Sequence, residues 1–279
     1  MSEASQPHDG RPVLFVGVGR QRVGKTTLLN TIIQSLREQG TELVIWNADL
    51  LNVTYNLPLF HRDVLEPPSS EFEDVKSWLE ERIQDQIDGQ YNAFLDVGGG
   101  DTALSRLVQE IPIVQTLERQ GIRVVLAHVI GPEQADVDYL RHFTARQLFA
   151  PEATLIVLNA GLIMSGRSAA HAFAAIRRHP VVTAAIDQGA HLVMMPPLSC
   201  MSQVTDRGLT FSEAGEGVIK GDRPRLSFFD QERVAIWWQK AVPVFIASIP
   251  PLWLPYRPGA RPIAIPAASE SSTEDAASA

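Results

Sequence analysis

Several things are scarce in this sequence, and each scarcity removes a class of protein. A single cysteine, Cys200, in 279 residues excludes an internal disulfide framework and points to a reducing cytoplasm. No uncharged apolar run approaches the ~20 residues that span a bilayer. Met1 to Gly10 is polar, without a basic stretch leading into an apolar one, so no secretory signal is expected there. The seven histidines and one cysteine show no metal-ligand spacing, and no zinc site is expected. Basic residues number 24 against 32 acidic ones, for a net charge of −8. Such a chain is a poor non-specific binder of DNA unless its basic groups gather on one face.

What is present is apolar material, 45% of the residues, enough for one large core. Apolar runs alternate with amphipathic stretches. Val13–Val18, Glu42–Asn47, Asn92–Asp96, Ile122–Ile130, Thr154–Leu158 and His191–Met194 read as strands. Lys25–Gln39, a segment from Ser70, Leu104–Gln120, Arg167–Arg178 and Asp230–Lys240 read as helices. Ser70 with Glu73 resembles a capping box, and Pro132 suits the first turn of a further helix. This alternation predicts an α/β fold, a mostly parallel central sheet with helices on both faces. The expected domain is 12–256, between a disordered arm at 1–11 and a disordered acidic tail at 257–279 that is rich in Pro, Ala, Ser and Glu.

The stretch Gly19-Arg20-Gln21-Arg22-Val23-Gly24-Lys25-Thr26-Thr27 contains G-x-x-x-x-G-K-[ST]. Gly19 and Gly24 let the backbone turn and approach phosphate closely. The N–H groups from Arg22 through Thr27, Val23 included, would form an anion cradle at a helix N-terminus. Lys25 supplies charge to the β- and γ-phosphates, and the Thr26 hydroxyl coordinates Mg²⁺. The motif follows an expected strand and opens an expected helix, the context that the chemistry requires.

Such a loop needs a carboxylate at the end of a neighbouring strand. Asp96 ends the apolar run before Gly98-Gly99-Gly100 and is the candidate Mg²⁺ partner, the alternative being a turn cap. Asp101 reads as a helix cap. Asp49, just beyond the second strand, is the candidate for orienting the attacking water or sensing the γ-phosphate, and a second candidate near the metal. The alternative is a turn-forming aspartate.

At these three motifs the chain resembles the ParA/MinD family of deviant-Walker P-loop ATPases, of the SIMIBI class. Within it the chain looks nearest to plasmid conjugal-transfer and partition ATPases such as the TraL-like group. The family loop reads x-K-G-G-x-G-K-[ST]-T, so its signature lysine falls on Arg20, while its two glycines become Gln21 and Arg22. Arg22 is the alternative carrier of the signature role. The resemblance implies a Rossmann-like three-layer fold, ATP with Mg²⁺, and a nucleotide-dependent homodimer in which Arg20 reaches the partner's phosphates. The family's D-x-D appears as Asn47-Ala48-Asp49, keeping the position used in hydrolysis. Asn159 falls where the family contacts adenine, and Met195-Pro196-Pro197 where a segment flanks it. Asn159 is not followed by a GTPase-type N-K-x-D, so ATP is expected; a turn residue is the other reading of it.

His128, ending an apolar strand, is expected to be a core residue rather than a ligand. Arg141, Arg146, Arg177 and Arg178 are candidates for a DNA face, although the acidic total favours solvated helix surfaces. Ala241–Tyr256 is apolar and broken by prolines, either a clamp over the core or a docking surface. The expectation is a cytoplasmic nucleotide switch acting on an unidentified protein partner. A small-molecule kinase, with Arg207–Arg225 as its only lid candidate, and a nucleotide-binding module with little turnover are the rivals.

Overall fold

In the computed structural model, residues 9–52, 55–98, 102–145 and 149–255 are described. Asp101, Gly99, Gly100 and Arg146 lie outside them, as do residues 1–8 and 256–279, so the expected arm and tail fall largely outside as well.

The elements run in chain order as β1 (Val13–Val18), α1 (Lys25–Glu38), β2 (Val44–Asn47), β3 (Val64–Leu65), α2 (Phe72–Gly89) and β4 (Ala93–Asp96). Then come α3 (Thr102–Glu110), α4 (Ile113–Arg119), β5 (Arg123–Ile130), α5 (Gln134–Ala145), β6 (Ala153–Asn159), α6 (Ala169–Ala172), α7 (Ala174–Arg177) and α8 (Pro180–Asp187). The chain continues through β7 (His191–Met195), α9 (Met201–Thr205), α10 (Phe211–Glu216), α11 (Phe228–Ile236), a π turn at Trp237–Ala241 and α12 (Val242–Ala247).

The seven strands form one sheet in the order β3-β2-β4-β1-β5-β6-β7, and every neighbouring pair is parallel. A parallel sheet needs both faces covered, which is why β1 is buried at all six positions. Alternation sends Val13 and Phe15 into one layer with Leu29, Ile33 and the C-terminal helices. It sends Leu14, Val16 and Val18 into the other, with Trp78, Leu107 and Leu117. Phe15 stacks on Phe94 of the neighbouring strand with centroids 5.1 Å apart. The result is a three-layer α/β fold with all strand C-termini at one edge, where such sheets bind ligands.

Several expected details differ. The two-residue edge strand β3 is too short to show a pattern. The capping box at Ser70 does not form: α2 starts at Phe72 with no side-chain cap on Glu71, and Ser69 instead accepts from the Glu71 N–H. Leu104–Gln120 is two helices, because Pro112 cannot donate an N–H and breaks the run. Pro132 lies before α5 rather than in its first turn. Arg167–Arg178 contains α6 and α7, and a further helix, α8, follows with Pro180 at its first position.

The apolar C-terminal stretch is a clamp: Val242, Phe245, Ile246, Ile249 and Leu254 are buried in the layer shared with α1. The π turn falls directly before Val242-Pro243, where the missing proline N–H removes an α-helical bond. Among the described residues no helix is long and apolar enough to cross a membrane.

Candidate functional site

The phosphate loop begins where β1 ends. Gly24 holds φ 95°, a left-handed conformation, at the position capping α1. A Cβ there would collide with the Asn159 side-chain amide. Gly19 has φ 151°, and a Cβ on it would sit 2.7 Å from the Val129 carbonyl oxygen. Both motif glycines are thus required by close approach, as the phosphate-cradle reading expects. Arg22 takes φ 63°, costly for a side chain with a Cβ, at an exposed position where the family pattern has glycine. Strain of this kind concentrates at ligand clamps.

Parallel pairing puts Asp96 opposite Gly17 of β1 and Asn47 of β2, so β4 ends level with the start of the loop. The Thr26 hydroxyl, in the first turn of α1, donates to Asp96 Oδ2 at 2.7 Å. Asp96 is 1% exposed, and its Oδ1 has no hydrogen-bond partner among the described residues. Burial pushes its carboxyl up to about 6, against the opposing pull of Thr26 and Lys25, while Asp49 adds to the rise. A buried carboxylate oxygen without a partner, beside a hydroxyl, is the donor set a Mg²⁺ with phosphate and water ligands would complete. The residues therefore fit that ion.

Lys25 is also buried, and desolvation lowers its pKa although Asp96 and Asp49 hold it up. Its ammonium donates to the Arg20 carbonyl at 3.2 Å. Asp49 is half-buried; burial raises its pKa, and Lys25 opposes the rise. A Cβ on Gly98, two residues after the β4 end, would lie 3.3 Å from Asp49 Oδ1, so glycine there leaves room for that carboxylate. Lys25, Thr26, Asp96 and Asp49 therefore form one electrostatic cluster at the C-terminal edge of the sheet.

Asn47, fully buried, has a positioning task. Its side-chain oxygen accepts from the Asp49 N–H at 3.3 Å, and its amide donates to Glu66 at 2.7 Å. Asn159 is placed beneath the loop. Its amide donates to the Val23 carbonyl at 2.9 Å and its oxygen accepts from the Gly161 N–H at 2.9 Å. Thr27 and Pro196 are half-buried at the loop and after β7, and the Pro196 carbonyl accepts from the Trp237 indole at 3.2 Å.

Arg20 is tied within its own chain. Its guanidinium donates to Asp136 at 2.9 Å and Glu133 at 3.2 Å, at the start of α5. Asp136 is 4% exposed and also accepts from the Gly131 N–H at 3.0 Å. These partners were missed from sequence, although an aspartate in the first turn of a helix beside the loop strand is a readable signal. His128 is buried and neutral, held down to about 3 by desolvation, with its ring edge-on to Phe143. Arg141 pairs with Asp138 on its own helix at 2.6 Å. Arg207 and Arg225, in the lid candidate, donate to the carbonyls of Gln203, Pro224 and Glu216.

No known protein family matches the sequence, and no curated protein does. Among solved structures, the chain is similar to the septum site-determining protein MinD of Pyrococcus horikoshii complexed with Mg-ADP, at 18% identity and TM-score 0.46, over 84% of this chain and 98% of that one. It is similar to a nucleotide-binding protein of Archaeoglobus fulgidus in complex with ADP, at 15% identity and TM-score 0.43, over 72% and 88%. FtsY of Mycoplasma mycoides matches at 17% identity and TM-score 0.35 over 55% of this chain, which spans about half of that protein (53%). Likenesses this distant assign no residue role or substrate to this chain.

Proposed function

We propose that this chain binds a nucleoside triphosphate, ATP in our reading, together with Mg²⁺ and hydrolyses it slowly as a molecular switch. One observation carries the reading. Thr26 meets the buried Asp96 at 2.7 Å beside buried Lys25, at the start of a 14-residue helix and after a loop whose glycines are sterically required.

The geometry supports the following division of labour. Loop N–H groups from Arg22 to Thr27, with Gly19 and Gly24 clearing space, would receive the β- and γ-phosphates. Lys25 would leave the Arg20 carbonyl to bond phosphate oxygen, exchanging a neutral acceptor for an anionic one. Thr26 and Asp96 would hold Mg²⁺, and Asp49 is a second carboxylate that could take part in holding it. Mg²⁺ would neutralise charge developing on the phosphates. Asp49, kept in place by Asn47, would orient the attacking water or accept its proton. Asn159 and Pro196 are the candidates beside the base. Charge stabilisation and positioning then supply the catalysis.

The finer biological reading, a cytoplasmic ParA/MinD-type ATPase in plasmid partition, conjugal transfer or cargo positioning, is supported by the loop and D-x-D resemblance. A nucleotide-dependent homodimer through Arg20 belongs to the same reading. It requires Arg20 to exchange Asp136 for phosphate. The small-molecule kinase reading loses support because Arg207 and Arg225 are spent on carbonyls of their own lobe. Phosphate release measured with ATP, with GTP and with small-molecule acceptors tests the proposal. Magnesium-dependent release without an acceptor is the expected result, and transfer that depends on an acceptor would overturn it.

A further inference from the structure

The C-terminal helical segment buries one side in the core and, among the described residues, leaves the other exposed. Val234, Trp237, Val242 and Phe245 are buried, while Phe228 is 67%, Ile236 54% and Val244 60% exposed. The exposed side contains a row at every fourth residue: Phe228, Glu232, Ile236, Lys240 and Val244. Rows of this spacing are the ridges that helices most often pack together. The π turn at Trp237–Ala241 keeps Lys240 and Val244 on the exposed side although the helix continues past Pro243.

The row reads apolar, acidic, apolar, basic, apolar. It is self-complementary about Ile236. If two such segments lie antiparallel across a twofold axis at Ile236, that residue meets its own copy. Glu232 then faces Lys240 of the other chain, and Phe228 faces Val244, in both directions. Among the described residues, neither Glu232 nor Lys240 forms an ion pair within its own chain. Arg233, by contrast, is already paired with Asp230. An uncharged apolar partner would strand both Glu232 and Lys240 under its cover, at a desolvation cost. A second copy supplies each with its opposite, and isologous pairing is the usual symmetry of dimers.

We propose that this chain forms an isologous dimer through the exposed row of α11 and α12, with antiparallel helices and no requirement for nucleotide. The row spans 17 residues, so the contact is about 25 Å long. Phe229, 72% exposed and in ring contact with Phe228, would broaden it. One helix pair with this flank sits near the lower bound for a specific interface, so a dissociation constant on the order of micromolar is expected.

Sedimentation of the full chain without nucleotide tests this. The wild type, and Lys25→Ala equally, should dimerise at tens of micromolar. Glu232→Lys alone and Lys240→Glu alone each create two like-charge contacts and should weaken the dimer roughly tenfold. The double exchange should restore it, and mixing the two single variants should give a heterodimer. Ile236→Cys should cross-link to its own copy under mild oxidation, since the native Cys200 is buried. All substituted positions are exposed, so folding should be kept, which circular dichroism checks. A wild type that is monomeric at about 100 µM would overturn the proposal. So would a dimer indifferent to both charge reversals, or one that appears only with nucleotide.

Discussion

Arg20, in the phosphate loop, and Asp136, in the first turn of α5, are joined by a hydrogen-bonded ion pair of 2.9 Å. The pair fastens the loop to the end of the strand beside it, because Asp136 also takes the Gly131 N–H. Arg20 serves twice: its side chain meets Asp136 while its carbonyl accepts the Lys25 ammonium. The geometry of the lysine that would meet phosphate therefore depends on a carboxylate 116 residues away. Asp136→Asn should loosen the loop and weaken nucleotide binding by roughly three- to tenfold, the cost of ordering one or two side chains on binding. Titration calorimetry of the variant with Mg-ATP checks this, and unchanged affinity would show that the pair does not shape the loop.

Lys25→Ala removes the one ammonium of the cluster. A charge-assisted hydrogen bond contributes about 1.5–3 kcal/mol, so nucleotide affinity should fall by roughly ten- to a hundredfold. Calorimetry with both ATP and GTP would check the loss. The wild type is expected to bind, and to prefer ATP.

Asp49→Ala should separate binding from chemistry. Affinity should change little, because no phosphate contact is assigned to Asp49. Hydrolysis should drop by about a hundredfold or more, the usual contribution of a positioned base. A single-turnover assay reads the chemical step directly, and a normal rate would remove Asp49 from the mechanism.

Asp96 predicts a pH dependence. Its pKa in the fold, about 6, exceeds its ordinary value of 3.8 because burial disfavours the charge. Only the anion attracts Mg²⁺, so Mg-nucleotide affinity should rise as pH increases through about 6 and level off above. Binding at pH 5.5 should release a proton, visible as a calorimetric heat that varies with the buffer's ionisation enthalpy. Asp96→Asn should weaken Mg-nucleotide binding and abolish this dependence.

Two buried histidines should lower stability in acid. His61 sits between Asn30 Oδ1, at 2.9 Å, and the Arg37 guanidinium, at 3.2 Å. Burial first, and Arg37 second, lower its pKa to about 4; desolvation lowers His128 to about 3. Both ordinary values are 6.5, so the unfolded chain binds more protons below that pH. Their contribution is present above pH 6.5 and lost as pH falls through 4 and 3, by up to about 1.4 kcal/mol per pH unit for each. Asp96 acts oppositely, since its raised pKa adds stability below 3.8 that is lost as pH rises through 6. Denaturant midpoints from pH 7 to 4 should fall, and His128→Phe should flatten the fall. An unchanged slope in that variant would contradict a neutral buried imidazole.

The sequence by itself determined the sheet and the loop. Continuous apolar runs such as Val13–Val18 can be satisfied only by burial on both faces, and the spacing from Gly19 to Thr26 is a local property of one turn between strand and helix. What tertiary structure decided were the relations between distant segments. Register alone set Asp96 level with Gly17, and strand order alone placed Asn159 under Val23. Packing gave Arg20 its partner on α5, and gave His61 its place between Asn30 and Arg37. The two-residue strand β3 exists because β2 pairs with it, since a run so short carries no pattern of its own. Periodicity and propensity act over a few residues, whereas a charge finds its partner only after the chain has folded back on itself.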